Sequence, residues 1–220
     1  MKGKERRRLT RLHAYERAAW ESGARLLCGV DEVGRGPLAG PVTACAVVIS
    51  EPLYLEYLND SKVVIAERRA VLDVAIRERA VAWALGWASH EEIDRFNILA
   101  ASKLAMSRAL AALGVAPCRV LVDAVNIPDC PYEQLPIIDG DAKSAVIAAA
   151  SIVAKVARDG LMLELDARYP GYGFAQHKGY ATAEHLQALN RLGPCPVHRR
   201  SFAPVLQPSL DFAIDMPAAV

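Results

Sequence analysis

Apolar runs broken by Gly- and Pro-rich punctuation outline the chain. Residues 26–33 and 42–49, the second rich in Val and Ala, read as two buried strands. The segment between them, Gly34-Arg35-Gly36-Pro37-Leu38-Ala39-Gly40-Pro41, is dense in turn residues, so the two strands are expected to form an antiparallel hairpin. A helix over 66–79 and a third strand over 81–88 follow. Residues 97–113 carry apolar positions at helical spacing. A short apolar strand at 120–123 ends in a carboxylate, and 136–138 reads as one more strand. The Ala-rich pattern from 143 to 168 predicts a long helix that stops before Tyr169-Pro170-Gly171. A Gly- and aromatic-rich loop over 171–180 leads to a last helix over 182–192, with Thr182 as its N-cap. A meander of strands followed by strand–helix alternation predicts an α/β fold, a mixed sheet of about five strands flanked by helices with a C-terminal helical annex.

Composition narrows the class. Hydrophobic residues make up 53% of the 220, enough for a sizeable core. Twenty-six Lys and Arg against 25 Asp and Glu leave a net charge of +1, so phosphate binding must come from local clusters and not from bulk charge. The five cysteines show no CxxC spacing, which argues against a zinc ribbon or a disulfide framework and fits a reducing cytoplasm. The apolar stretches are too short to span a bilayer, so no membrane association is expected. The first eleven residues carry six Lys and Arg and read as a solvated basic tail or a phosphate-touching arm, with a short helix over 12–21 behind it.

The sharpest chemical signal is Asp31-Glu32 inside the apolar run 26–33. Neighbouring strand residues point to opposite faces, so the two carboxylates cannot both be ordinary solvated positions. Asp123 ends the strand 120–123; if the two strands are neighbours, Asp31 and Asp123 lie side by side. Carboxylates held that close repel, and a cation between them keeps them ionised. All-oxygen ligation favours Mg²⁺ or Mn²⁺.

With these residues in view, Asp31-Glu32-Val33-Gly34-Arg35-Gly36-Pro37 resembles the signature of the ribonuclease HII family. Further matches follow in order: Asn59-Asp60-Ser61-Lys62, Val122-Asp123, Gly140-Asp141, Ala149-Ala150-Ser151-Ile152-Val153-Ala154-Lys155-Val156 with Arg158-Asp159, His177-Lys178-Gly179-Tyr180, and His198-Arg199-Arg200-Ser201-Phe202. The resemblance implies a ribonuclease H-like domain over 25–205, with the annex beginning near 170, a basic arm and short helix over 1–24, and a tail over 206–220. It implies an endonuclease that hydrolyses the RNA strand of RNA–DNA hybrids and cuts 5′ of single ribonucleotides in duplex DNA, leaving 3′-hydroxyl and 5′-phosphate ends.

Carried over position by position, the resemblance assigns Asp31, Glu32, Asp123 and Asp141 as catalytic residues and as ligands of two divalent ions, Mn²⁺ or Mg²⁺. Asp139 and Asp159 compete with Asp141; the Gly140-Asp141 turn matches the family position, and a helix begun near Lys143 carries Asp159 about 25 Å away along the axis, where it is expected to pair with an Arg instead. Gly34, Arg35 and Gly36 are implied readers of the ribose 2′-OH, the group that separates RNA from DNA. Tyr180 is implied to pack on the next deoxyribose. Lys62 and Lys143 are candidate substrate contacts, as are Arg199 and Arg200 for phosphate. After Lys62 this chain has Val63-Val64 where the family commonly shows Lys-Leu, and Asp139 stands where it often has Lys. The expected partner is a nucleic-acid duplex and the expected state a monomer. A junction resolvase of the same sheet class and a non-catalytic hybrid binder are the rivals; ribonuclease HIII resembles a version with Gly-Lys-Gly and an extra N-terminal domain.

Overall fold

The computed structural model describes residues 3–206. Two short helices, α1 (Gly3–Leu12) and α2 (Ala14–Glu21), precede β1 (Leu27–Val33) and β2 (Val42–Ile49). Next come α3 (Ala66–Arg79), β3 (Ala82–Ala88), α4 (His90–Phe96), α5 (Ile98–Ala111), β4 (Arg119–Asp123) and β5 (Glu133–Ile137). The last elements are α6 (Gly140–Lys143), α7 (Ala145–Arg168), α8 (Phe174–His177), α9 (Ala183–Leu192) and α10 (Ala203–Leu206).

The strands form one five-stranded sheet in the order β3-β2-β1-β4-β5. β1 pairs antiparallel with β2, with Asp31 opposite Cys45, as the short Gly-Pro connection predicts. β1 and β4 run parallel, with Gly29 opposite Leu121 and Val30 opposite Val122. The mixed α/β sheet expected from the sequence is the observed one.

Period-two alternation divides β1 between two cores. Leu27 joins Cys45, Val47, Ile49, Leu121 and the buried face of α7 on one side. Cys28 and Val30 join Ala44, Ala46, Val48, Val120, Val122 and α5 on the other. Gly29 is required where α7 crosses: a Cβ there would stand 2.3 Å from the Val146 carbonyl carbon. That close approach brings the first turns of α7 directly over β1 and aims Ser151 at the end of the strand.

Several elements depart from expectation. The basic N-terminal segment, read as a solvated tail or arm, is helical in α1, with Leu9 and Leu12 buried. α2 anchors it to the body: buried Glu16 accepts from Ser144 Oγ at 2.6 Å and from Val146 N at 2.9 Å, at the N-terminus of α7. A carboxylate there answers unpaired helical N–H groups and the positive end of the helix dipole. The long helix does not begin at Lys143. Ser144 is extended (φ −127°) and its side chain caps Ile147 N, so the preceding turn is the separate α6. α4 was not foreseen, although Ser89 and Glu92 form a capping box at its start. β5 covers Glu133–Ile137, with Pro136 tolerated on an edge strand. The tail expected from residue 206 lies, beyond Leu206, outside the described residues.

Candidate active site

Asp31 lies near the C-terminal end of β1, and Asp123 closes the parallel neighbour β4. The register continues from Val30–Val122 to place these two carboxylates on adjacent strands at the same level. In sheets with parallel neighbours, the crevice beyond the carboxyl ends of the strands is the usual place for a ligand. Asp141 reaches the same edge from α6. That turn is fastened by Asp123 itself, whose Oδ1 accepts from Gly140 N at 2.7 Å. The close fit needs glycine, since a Cβ at 140 would stand 2.7 Å from Ile147 Cδ1 and 3.2 Å from Asp123 Oδ1.

Burial makes these acids hard to ionise. Asp31 is 4% exposed, and its carboxyl is pushed well above the usual carboxylate range, first by burial and then by Glu32 and Asp123. Glu32 is also raised, by burial above all, against the pull of the Arg35 guanidinium at 3.3 Å. Burial raises Asp123 despite its bond from Gly140, and burial followed by Asp60 raises Asp141 against Lys62. Lys62 Nζ stands 3.2 Å from Asp141 Oδ2 and 4.0 Å from Asp60. Partial burial works against its charge, but Asp141 and Asp60 outweigh that and raise its pKa.

The four carboxylates share a neighbourhood but do not form a closed cage. Among the described residues, no three His, Cys, Asp or Glu side chains stand gathered at metal-binding spacing. Each acid turns to a donor of its own, Asp31 to Glu32 N at 2.7 Å, Asp123 to Gly140 N, Asp141 to Lys62. One oxygen is left over. Glu32 Oε2 is buried without a hydrogen-bond partner. A buried orphan carboxylate oxygen beside three more raised carboxylates is a donor set that suits a hard divalent cation.

Beside the acids, the Gly34-Arg35-Gly36 turn opens to solvent at Arg35 and Gly36, while Gly34 is buried with φ +94°. Tyr180, 42% exposed, lies against it: a Cβ at Gly36 would sit 3.3 Å from the Tyr180 ring. The two loops are sewn together by Leu38 N donating to Gly179 O at 2.7 Å. Tyr180 and the acids thus bracket the turn.

Other expected residues are placed differently. Lys143 Nζ donates to Ile138 O at 2.8 Å and lies 3.5 Å from Asp139, on the outer side of α6. Arg199 is no surface phosphate contact. It is fully buried and donates to Gly34 O at 2.6 Å, Arg35 O at 2.9 Å and Gly40 O at 2.9 Å. Arg200 is exposed, and its backbone N–H is held by Asp94 of α4 at 2.9 Å. Asp159 stays away from the acids, bonded to Lys155 at 2.6 Å and near Arg69 at 3.9 Å.

Sequence reasoning gave no role to three contributors, Asp60, Ser151 and Arg158. Asp60 adds a fifth carboxylate beside Asp141. Ser151 lies beside Asp31, where its hydroxyl favours the carboxylate, and donates to Ser61 Oγ at 2.8 Å, tying α7 to the loop that carries Lys62. Arg158, fully buried, donates to Ala39 O, Pro41 O and Lys178 O. The signal was available for Ser151, a hydroxyl inside an otherwise apolar helical run. Arg158 and Arg199 gave none, because a surface Arg and a buried one look alike in sequence.

Comparison with known proteins bears on the same residues. The ribonuclease HII family profile matches residues 28–205. A ribonuclease HII of Moorella thermoacetica is 54% identical over 198 residues, covering 90% of this chain and 96% of that one. The crystal structure of ribonuclease H2 from Pyrococcus horikoshii OT3 superposes with a TM-score of 0.68 at 25% identity, over 82% of this chain and 95% of that one. A Bst-RNase HIII solved in complex with Mn²⁺ shares the fold, with a TM-score of 0.66 at 19% identity over 86% of this chain and 70% of that one.

Proposed function

The chain belongs to the ribonuclease HII family and is an endoribonuclease of the ribonuclease H type, acting on RNA–DNA hybrids; from that premise we propose that it also cuts 5′ of single ribonucleotides embedded in duplex DNA, with Asp31, Glu32, Asp123 and Asp141 holding two divalent ions. The observation that carries this reading is the convergence of those acids at the end of β1 and β4, beside the Gly34–Gly36 turn, exposed at Arg35 and Gly36, and the Tyr180 ring. Mg²⁺ or Mn²⁺ held there would polarise the scissile phosphate and make a water nucleophilic near neutral pH. The Mn²⁺ complex of the ribonuclease HIII relative supports a divalent cofactor.

The protein's own groups do the rest. The backbone of Gly34, Arg35 and Gly36 contacts the ribose 2′-OH, and Tyr180 stacks on the adjoining deoxyribose, so that cutting is placed at an RNA-to-DNA junction. Lys62 is 78% exposed on its side chain and can swing from Asp141 to a phosphate oxygen. Lys143 is the weaker candidate, since its ammonium is engaged at Ile138 and Asp139. Residues 25–205 are proposed as the catalytic domain, working as a monomer in the cytoplasm. Among the described residues no helix is long and apolar enough to cross a membrane.

The test is cleavage of a labelled duplex bearing one ribonucleotide, with Mg²⁺, Mn²⁺ or EDTA, beside the same duplex made wholly of DNA. Cutting at the ribonucleotide with either cation and none with EDTA is expected. Equal cutting of both duplexes would refute the 2′-OH reading, and activity in EDTA would refute the metal assignment.

A further inference from the structure

Two buried arginines stand behind the Gly34–Gly36 turn, hydrogen-bonded to backbone carbonyls, with the Phe202 ring 5.1 Å from the Arg199 guanidinium. Arg199 Nη2 and Nη1 hold Gly34 O and Arg35 O, and its Nε holds Gly40 O. Arg158 holds Ala39 O and Pro41 O from the same hairpin connection and Lys178 O from the loop that carries Tyr180. Neither forms an ion pair with a carboxylate among the described residues. Burial lowers Arg199 to about 9 and Arg158 to about 10, so both remain charged at neutral pH. The packing is tight: a Cβ on Gly34 would stand 2.2 Å from Arg158 Nε.

A trans peptide directs its C=O and the following N–H to opposite sides. With Gly34 O and Arg35 O drawn inward by Arg199, the N–H groups of Arg35 and Gly36 face outward. Among the described residues neither N–H donates to another group of the chain. Arg158 meanwhile sets the distance between this turn and Tyr180, because one guanidinium grips both loops.

We propose that Arg199 and Arg158 are positioning residues for ribose selection: Arg199 turns two successive peptide N–H groups toward the substrate sugar, and Arg158 holds the Tyr180 loop in register with them. This rests on the proposed reading of the turn as the reader of the 2′-OH. It adds that discrimination is set by cations that never touch the nucleic acid. Lysine cannot replace either one, since an ammonium lacks the planar fork that spans three separated carbonyls.

The decisive measurement is Arg199→Lys, assayed for KM and kcat on a duplex with one ribonucleotide and for Ki of the all-DNA duplex as competitor. KM is expected to rise about tenfold, the net worth of about one hydrogen bond, with Ki within about twofold of the parent. Simple loss of folded enzyme would lower kcat and leave KM in place; an unchanged KM overturns the proposal. Arg158→Lys should raise KM in the same sense.

If either variant fails to fold, hydrogen exchange on the unaltered chain in EDTA decides. The amides of Arg35 and Gly36 are expected to be protected by the ribonucleotide duplex and not by its all-DNA twin; equal exchange in the two complexes overturns the proposal. An unaltered chain that cuts both duplexes alike would instead fail the functional reading, a separate result.

Discussion

Two buried charged regions lie side by side in this protein and are treated in opposite ways. The arginines behind the hairpin connection are cations whose every nitrogen donates to a backbone carbonyl, three for each guanidinium. The acids at the end of β1 and β4 are carboxyls whose pKa values are raised first by burial and then by one another, and Glu32 Oε2 has no hydrogen-bond partner. A fully satisfied buried network is rigid and belongs to the scaffold; an under-satisfied one is held in tension for something to bind. The difference teaches where stability and activity separate.

Substitution at the two regions should therefore fail in different ways. Asp31→Asn is expected to cut turnover by at least about a thousandfold while the cation-free protein melts no lower than the parent. The sign follows from the raised pKa: ionising Asp31 costs the folded state stability as pH rises above the unfolded value, and Asn removes that cost. A melting loss comparable to the loss of activity would break the comparison. Arg158→Met should show itself in stability, leaving three carbonyls unanswered and lowering it by about 3 kcal/mol, or a midpoint drop of roughly 6–12 °C. Calorimetry on the variant checks it; a midpoint within about 2 °C of the parent would show the carbonyls content without the cation.

Acid should act on the scaffold before the acids matter. His198 is fully buried in the annex, bonded to His185 at 3.1 Å and beside Cys195, with burial first and His185 next lowering its pKa to about 4. His185 is lowered too, and its ring holds Tyr180 O at 2.9 Å. A depressed folded pKa means stability present above about 6.5 and lost as pH falls toward about 4, by roughly 2–3 kcal/mol. Denaturant unfolding across that range should show the loss; a flat profile would contradict it. Tyr180→Ala is the mildest test: its ring is 42% exposed, so cleavage at single ribonucleotides should fall about tenfold with little change in stability. An unchanged rate would remove Tyr180 from the site.

The hairpin of β1 and β2 was legible because alternation, Val-rich runs and Gly-Pro punctuation agree locally. Asp31, Glu32 and Asp123 drew attention because charge in or at the end of an apolar strand is conspicuous, whereas Asp141, in the α6 turn, was pointed to only by the family resemblance. Arg199 was misread as a phosphate contact, and Arg158 was matched beside Asp159 without a role, because a cation's burial depends on which distant carbonyls surround it. Gly34 and Arg199 are 165 positions apart. The same limit hid Asp60 and Ser151, whose roles come from α6 and α7 closing over β1. α4 was overlooked for a different reason, since its Ser89–Glu92 capping box was present in the sequence and went unused.

On its own, the amino-acid order determined the α/β class, the strands that carry Asp31 and Asp123, and the family signature from Asp31 to Phe202, all properties of local period and residue chemistry. Only the tertiary structure decided that β1 and β4 are parallel neighbours, that Lys62 faces Asp141, and that two guanidiniums brace the glycine turn. Such contacts join segments far apart in the chain. They arise when packing chooses one arrangement and strips water from the charges, so no short stretch of sequence records them.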